Sequence, residues 1–144
     1  GSAPYVPHVI EPSFGVERAV MAVLCSTYWH DAENDRVVLR LPYELAPVKV
    51  AVCPLAKNNP ELVAKAREIY AQLKKQIGAV LWIDSGNIGK NYRKMDEIGV
   101  PYVVTVDFDT LEGDTKGTVT VRSRDTTEQQ RHNTLNLMAL LGTA

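Results

Sequence analysis

The stretch from residue 48 to residue 78 constrains the fold more than any other part of the chain. Residues 48–55 (VKVAVCPL) form an almost continuous apolar and β-branched run. That is the pattern of a strand covered on both faces, as in parallel sheets flanked by helices. Asn59-Pro60 then supplies a helix N-cap followed by proline at the first helical position. Leu62, Val63, Ala66, Ile69, Tyr70, Leu73 and Ile77 recur on one helical face, and Gly78 stops the helix. A doubly covered strand leading into a long amphipathic helix opens a βαβ unit.

The alternation continues. Residues 80–83 (VLWI) read as a second strand, Ser85-Gly86 as a turn, and 88–98 as a helix with Ile88, Tyr92 and Met95 inward. Pro101 opens a third strand over 102–106. An acidic loop (Asp107, Asp109, Glu112, Asp114) leads to a fourth strand at 118–122, and an amphipathic helix (Leu135, Leu137, Met138, Leu141) closes at Gly142. The expected fold is α/β: a mixed, mostly parallel sheet of four to five strands flanked by three helices.

Upstream, 6–14 is an extended segment broken by two prolines, and 16–24 is helical, with Val16, Ala19, Val20, Val23 and Leu24 on one face. Residues 29–35 are polar and turn-like, 37–41 is a short strand, and 42–47 is a proline-bounded linker. The main boundary falls there, dividing the chain into 1–45 and 46–144. The leading Gly1-Ser2 reads as a cloning scar.

Composition removes several function classes. The chain has 144 residues, 16 Lys+Arg against 17 Asp+Glu, and a formal charge of −1. That length holds one domain with a sizeable core, and the near-neutral balance leaves room for a local basic patch but not for binding nucleic acid by bulk charge. No apolar run approaches the ~20 residues needed to cross a bilayer. Cys25 and Cys53 stand apart, each in an apolar run, and His8, His30 and His132 are scattered. No metal-ligand spacing exists, and both thiols read as packing residues of a chain in a reducing, cytosolic setting.

Two segments could carry chemistry. Asp84-Ser85-Gly86-Asn87-Ile88-Gly89-Lys90-Asn91 joins a strand to a helix. Its glycines permit close backbone approach, and the helix start offers free N–H groups. It is not a P-loop, which needs four residues between its glycines and Ser/Thr after the lysine. Lys90, Arg93 and Lys94 lie on the solvent face of the helix, with Asp96 one turn on. Such charges are usually only a solvated face; as a nucleic-acid contact, the cations would bind phosphates and Asp96 would accept from an exocyclic amine. Arg122-Ser123-Arg124-Asp125 adds a second basic site. The other segment, 11–18 (EPSFGVER), combines two carboxylates, a hydroxyl and an arginine at a helix entry, where capping roles are equally ordinary.

Together these segments resemble homodimeric, class II glycyl-tRNA synthetases. Residues 9–18 (VIEPSFGVER) look like class II motif 3 in its glycine-specific form, and Ala46-Pro47-Val48-Lys49-Val50 like the start of the family's anticodon-binding domain. Asp84 to Gly89, Tyr92, Asp96-Glu97-Ile98-Gly99, 105–110 (TVDFDT) and 121–126 (VRSRDT) continue the likeness, which runs from about residue 6 to residue 131. The resemblance implies the class IIa anticodon-binding fold, preceded by a short remnant of a catalytic domain. It implies that Glu11 and Ser13 recognise glycine, that Arg18 contacts ATP, and that Lys90, Arg93, Asp96 and Arg124 lie at the anticodon of tRNA(Gly). Lys90 stands where the family commonly has Arg, and Asn91 where a second basic residue is frequent. Residues 128–132 (EQQRH) fall where the family has a strand of alternating valines, so that strand is expected to be short, at an edge, or absent.

The family's active site also needs motifs 1 and 2, which do not precede Glu11 here. The piece is therefore expected to be inactive, with ligase activity, ATP with Mg, a homodimer and a cytoplasmic location belonging to the full-length parent. For the piece itself no cofactor or metal is expected, and a monomer is the state considered. The alternative is a non-catalytic paralogue that uses the same fold as an accessory or protein-interaction module. A stand-alone domain binding some other RNA loop is a third reading.

Overall fold

The computed structural model describes residues 3–112 and 114–141. Its centre is a five-stranded mixed sheet of β3 (Val50–Pro54), β4 (Val80–Trp82), β5 (Tyr102–Val106), β6 (Thr118–Ser123) and β7 (Gln129–Asn133), in the order β4-β3-β5-β6-β7. β3 pairs in parallel with β4 and β5, β6 runs antiparallel to β5, and β7 antiparallel to β6. Four of the five strands therefore point the same way.

β3 lies at the middle of the parallel part because all five of its residues are buried. Its alternate side chains feed two separate cores. Val50 and Val52 join Leu62, Ala66, Ile69 and Leu73 of α2 (Pro60–Ile77), together with Leu137 and Leu141 of α5 (Leu137–Leu141). Ala51 and Cys53 face Met95, Ile88 and Tyr92 of α3 (Ile88–Glu97) on the opposite side. Burial pushes the Cys53 thiol up to about 11, against the bond with Thr105, so this cysteine is a packing residue. Cys25 departs from expectation, because its helix leaves it exposed.

Asn59 caps α2 through Oδ1, which accepts from the N–H groups of Glu61 and Leu62 at 3.0 and 3.1 Å. Gly78 ends α2 with φ +78°, a left-handed conformation that costs glycine little. The acidic loop holds a further short helix, α4 (Phe108–Leu111), started by a capping box between Asp107 and Thr110. β7 forms in full at the sheet edge, where polar residues suit a strand with one open side. Leu135, expected inward, is exposed because 134–136 forms a 3-10 turn rather than the first turn of α5; Gly142 falls outside the described residues.

Upstream, α1 (Val16–Thr27) runs three residues beyond the 16–24 that its apolar pattern suggests, and it has no buried residue. The strand read at 37–41 forms as β2 (Arg36–Leu39), whereas part of the segment read as a polar turn is its antiparallel partner β1 (Tyr28–Asp31), the turn between them including Asp35 with φ 46°. β2 packs directly on the C-terminal end of α3. At that contact Gly99 has φ +79°, and a Cβ there would lie 3.0 Å from the Leu39 carbonyl oxygen and 2.9 Å from Leu41 Cδ1. Glycine is thus required on both conformational and steric grounds.

Candidate nucleic-acid interface

α3 leaves the end of β4 through Asp84-Ser85-Gly86, and Asn87 caps it by accepting from the Lys90 N–H at 2.8 Å. Because Ile88, Tyr92 and Met95 point to the core, the 3.6-residue period turns Lys90, Arg93 and Lys94 outward, and all three are exposed. Lys90 and Arg93 stand one turn apart on that face.

Asp96 turns inward. It is 1% exposed, and its carboxylate is gripped by the Arg122 fork, Nη1 to Oδ1 at 2.8 Å and Nη2 to Oδ2 at 2.9 Å. Arg36 Nη1, from the hairpin, donates to Oδ2 at 3.0 Å and to the Arg124 carbonyl at 2.9 Å, while its Nε donates to Asp31 Oδ2 at 2.8 Å. Burial works against the Arg36 charge, but its bonds to Asp31 and Asp96 outweigh this and raise its pKa. The Arg36 side-chain bond is also the main reason the Asp31 carboxyl lies below the ordinary carboxylate range; Asn34 adds to the effect and desolvation opposes it. The Arg122 guanidinium stacks over Tyr92 at 4.8 Å.

Arg124 is buried as well. Nη1 donates to the Gly99 carbonyl at 3.0 Å, and Nε and Nη2 bind the Asp125 carboxylate at 2.8 and 3.0 Å. The four residues expected at the anticodon therefore divide. Lys90 and Arg93 are open to a ligand, whereas Asp96 and Arg124 already have partners inside the protein. They tie α3, β6 and the β1–β2 hairpin into one charge-balanced unit. Arg36 gave no signal in the sequence, since its partner lies 60 residues away in a different element.

The acidic loop is partly neutralised: Arg131 of β7 binds Asp107 and, at 3.2 Å, Asp109. Glu11, Ser13 and Arg18 are all exposed, on the segment before α1 and on its first turn. The cavity nearest them, about 510 Å³, is walled by apolar side chains such as Phe14, Val20, Leu41 and Ile98. That lining offers no polar groups for a nucleotide, so no ATP-binding step follows from this chain alone.

A second, polar crevice lies at the carboxyl ends of β3 and β4, between 54–58 and the start of α3. It is lined in part by Asn91, whose buried Oδ1 has no hydrogen-bond partner among the described residues.

The family model for the anticodon binding domain matches residues 49–142. The chain belongs to the anticodon-binding-domain family. It is 51% identical to a glycine–tRNA ligase of Deinococcus radiodurans over 138 residues, 89% of this chain and 27% of the relative. A glycine–tRNA ligase of Thermus thermophilus is 50% identical over 88% of the chain and 27% of its own length. One from Aeropyrum pernix is 47% identical over 88% of the chain and 21% of its own length. The chain thus spans about a quarter of the length of the curated relatives it matches. That these are ligases favours the synthetase reading over the accessory-module alternative.

Proposed function

We propose that this chain is the tRNA-anticodon-binding part of a glycyl-tRNA synthetase, whose complete enzyme joins glycine to tRNA(Gly) using ATP. Membership of the anticodon-binding-domain family carries the reading, and the half-identical glycine–tRNA ligases specify the amino acid. In it, Lys90 and Arg93 meet RNA phosphates and bases, while Asp96 and Arg124 hold the surface that presents them. Glu11 and Ser13 toward glycine, and Arg18 toward ATP with its Mg, serve the complete enzyme, as do its homodimer and its place in the cytoplasm. The chain alone is then inactive, needs no cofactor and acts as a monomer.

A net charge of −1 implies modest affinity resting on a few local phosphate contacts. The test is a titration of a stem-loop carrying a glycine anticodon against versions altered at the second and third anticodon bases, at low and moderate salt. Cognate binding is expected to be the tighter, and Lys90→Ala with Arg93→Ala should weaken it and flatten the salt dependence by about one unit of slope per lost phosphate contact. Equal affinity for all loops, or no binding at low salt, overturns the reading.

A further inference from the structure

The cation-bearing helix α3 is oriented from a part of the chain that lies outside the anticodon-binding-domain match. α3 is 10 residues long and sets Ile88, Tyr92 and Met95 against the core. Apolar burial is non-directional, so it holds such a helix down more firmly than it holds it against rolling about its axis. Rolling matters because Lys90 and Arg93 stand off the outer face. A roll of about 20° moves a group about 6 Å from the axis sideways by about 2 Å, several times the ~0.5 Å tolerance of a binding constellation.

Directional bonds at the end of α3 oppose that roll. The Arg122 fork reaches Asp96 from β6 at 2.8 and 2.9 Å, and Arg36 Nη1 reaches it from β2 at 3.0 Å. Two strands thus fix one carboxylate, one turn along from Arg93. Arg36 is anchored on both sides of this contact. Its Nε donates to Asp31 Oδ2 at 2.8 Å within the hairpin, and Nη1 also donates to the Arg124 carbonyl at 2.9 Å outside it. At 7% exposure the side chain is closed to a ligand, with the Trp29 ring 5.6 Å from its guanidinium. Gly99 permits the close approach, since a Cβ there would lie 3.0 Å from the Leu39 carbonyl oxygen.

Arg36 precedes residues 49–142, over which the family model matches, and the proline-bounded stretch 42–47 stands between. Its bonds nevertheless run to α3 and to the residue that follows β6. A buried ion pair adds little net stability over apolar packing, so what this guanidinium supplies is direction. We propose that Arg36 is a positioning residue for RNA binding: it sets the roll of α3, and with it where Lys90 and Arg93 point. The unit that binds RNA then starts at the β1–β2 hairpin and not at residue 46. This rests on the RNA-binding reading above and adds to it a residue that itself touches no RNA.

The experiment titrates the glycine-anticodon stem-loop against the full chain and its variants, at a temperature where circular dichroism shows each to be folded. Arg36→Met removes the bonds while Asp96 keeps the Arg122 fork, and it is expected to bind about tenfold more weakly than the wild type. Arg36→Lys keeps the charge, but one ammonium nitrogen cannot fill the places of Nε and Nη1 together. It should therefore also bind more weakly, and it carries the comparison if the methionine chain does not fold. Ile69→Ala, in the core on the other face of the sheet, lowers the urea midpoint without touching α3 and should bind as the wild type does. In a chain already carrying Lys90→Ala and Arg93→Ala, titrated at low salt, Arg36→Met should cause no further loss, because the side chains it aims are gone. Three results overturn the proposal while RNA binding stands: wild-type affinity in both Arg36 variants, a loss in Ile69→Ala equal to that in Arg36→Met, or the same fold-loss from Arg36→Met with and without the two cations. Failure of the wild type to bind any loop overturns the RNA reading, and this proposal with it.

Discussion

Asp96 shows how a charged side chain on a helix can be a hub. Both its oxygens are occupied by three guanidinium N–H groups from Arg122 and Arg36, at 2.8–3.0 Å and away from water. A buried ion pair adds little net stability compared with apolar packing, but losing one partner strands the other charge. Asp96→Asn keeps the shape and removes the charge that two arginines share. It should lower unfolding stability by about 3–5 kcal/mol, seen as a lower urea midpoint at unchanged slope. A change below about 1 kcal/mol would mean the network is solvated and Asp96 is free to meet a ligand. Sequence placed Asp96 near the basic residues correctly, since helical spacing and the nearby strand end suffice for that. It could not show the carboxylate's direction, because that depends on Arg36 and Arg122, which are brought in by tertiary packing. Asn91 was invisible for a related reason: an unpaired acceptor is a property of its surroundings.

Among the elements, those with one dominant periodicity were legible. α2 has its proline start, glycine stop and apolar stripe, and β3 its doubly covered run. Of the β1–β2 hairpin only β2 was legible, because Tyr28-Trp29-His30-Asp31 has no apolar alternation and pairs with Arg36–Leu39 through a turn with a left-handed aspartate. Polar bonds hold that turn: Asp31 accepts from Arg36 Nε at 2.8 Å and from Asn34 Nδ2 at 2.9 Å. Trp29 adds an apolar plate beneath the Arg40 guanidinium, 3.4 Å away. Since the folded-state pKa of Asp31 is lowered, its contribution is present above the unfolded value of about 3.9 and disappears as pH falls through that value and then the folded one. Asp31→Asn should therefore be less stable than the wild type near pH 7. The difference should close on acidification below about pH 4, as followed by urea unfolding at each pH. A gap independent of pH would assign the effect to geometry and not to the Asp31 charge.

Across the whole molecule, burial is uneven. β3 is locked between two cores and α2 is packed into one of them, while α1 has no buried residue: Val16 is 72% exposed, Val20 53% and Leu24 45%. Apart from the Arg40 N–H donated to the Thr27 carbonyl at its last residue, α1 faces Leu39, Leu41, Leu45 and Ile98 across an open apolar groove, so opening it exposes little new surface. The hairpin beside it is different, being pinned to α3 by Arg36 and by the glycine-only contact at Gly99. Opening free energy should then step upward along the chain, low in α1, intermediate in β1–β2, and near the global value in β3, β5 and α2. Amide hydrogen exchange on a sample verified as monomeric checks this. Amides of 16–27 should exchange by orders of magnitude faster than those of 50–54 and 102–106. Protection of α1 equal to that of β3 would show that its apolar face is tightly covered even in the monomer. Protection that appeared only as protein concentration rose would assign the covering to a second copy of the chain.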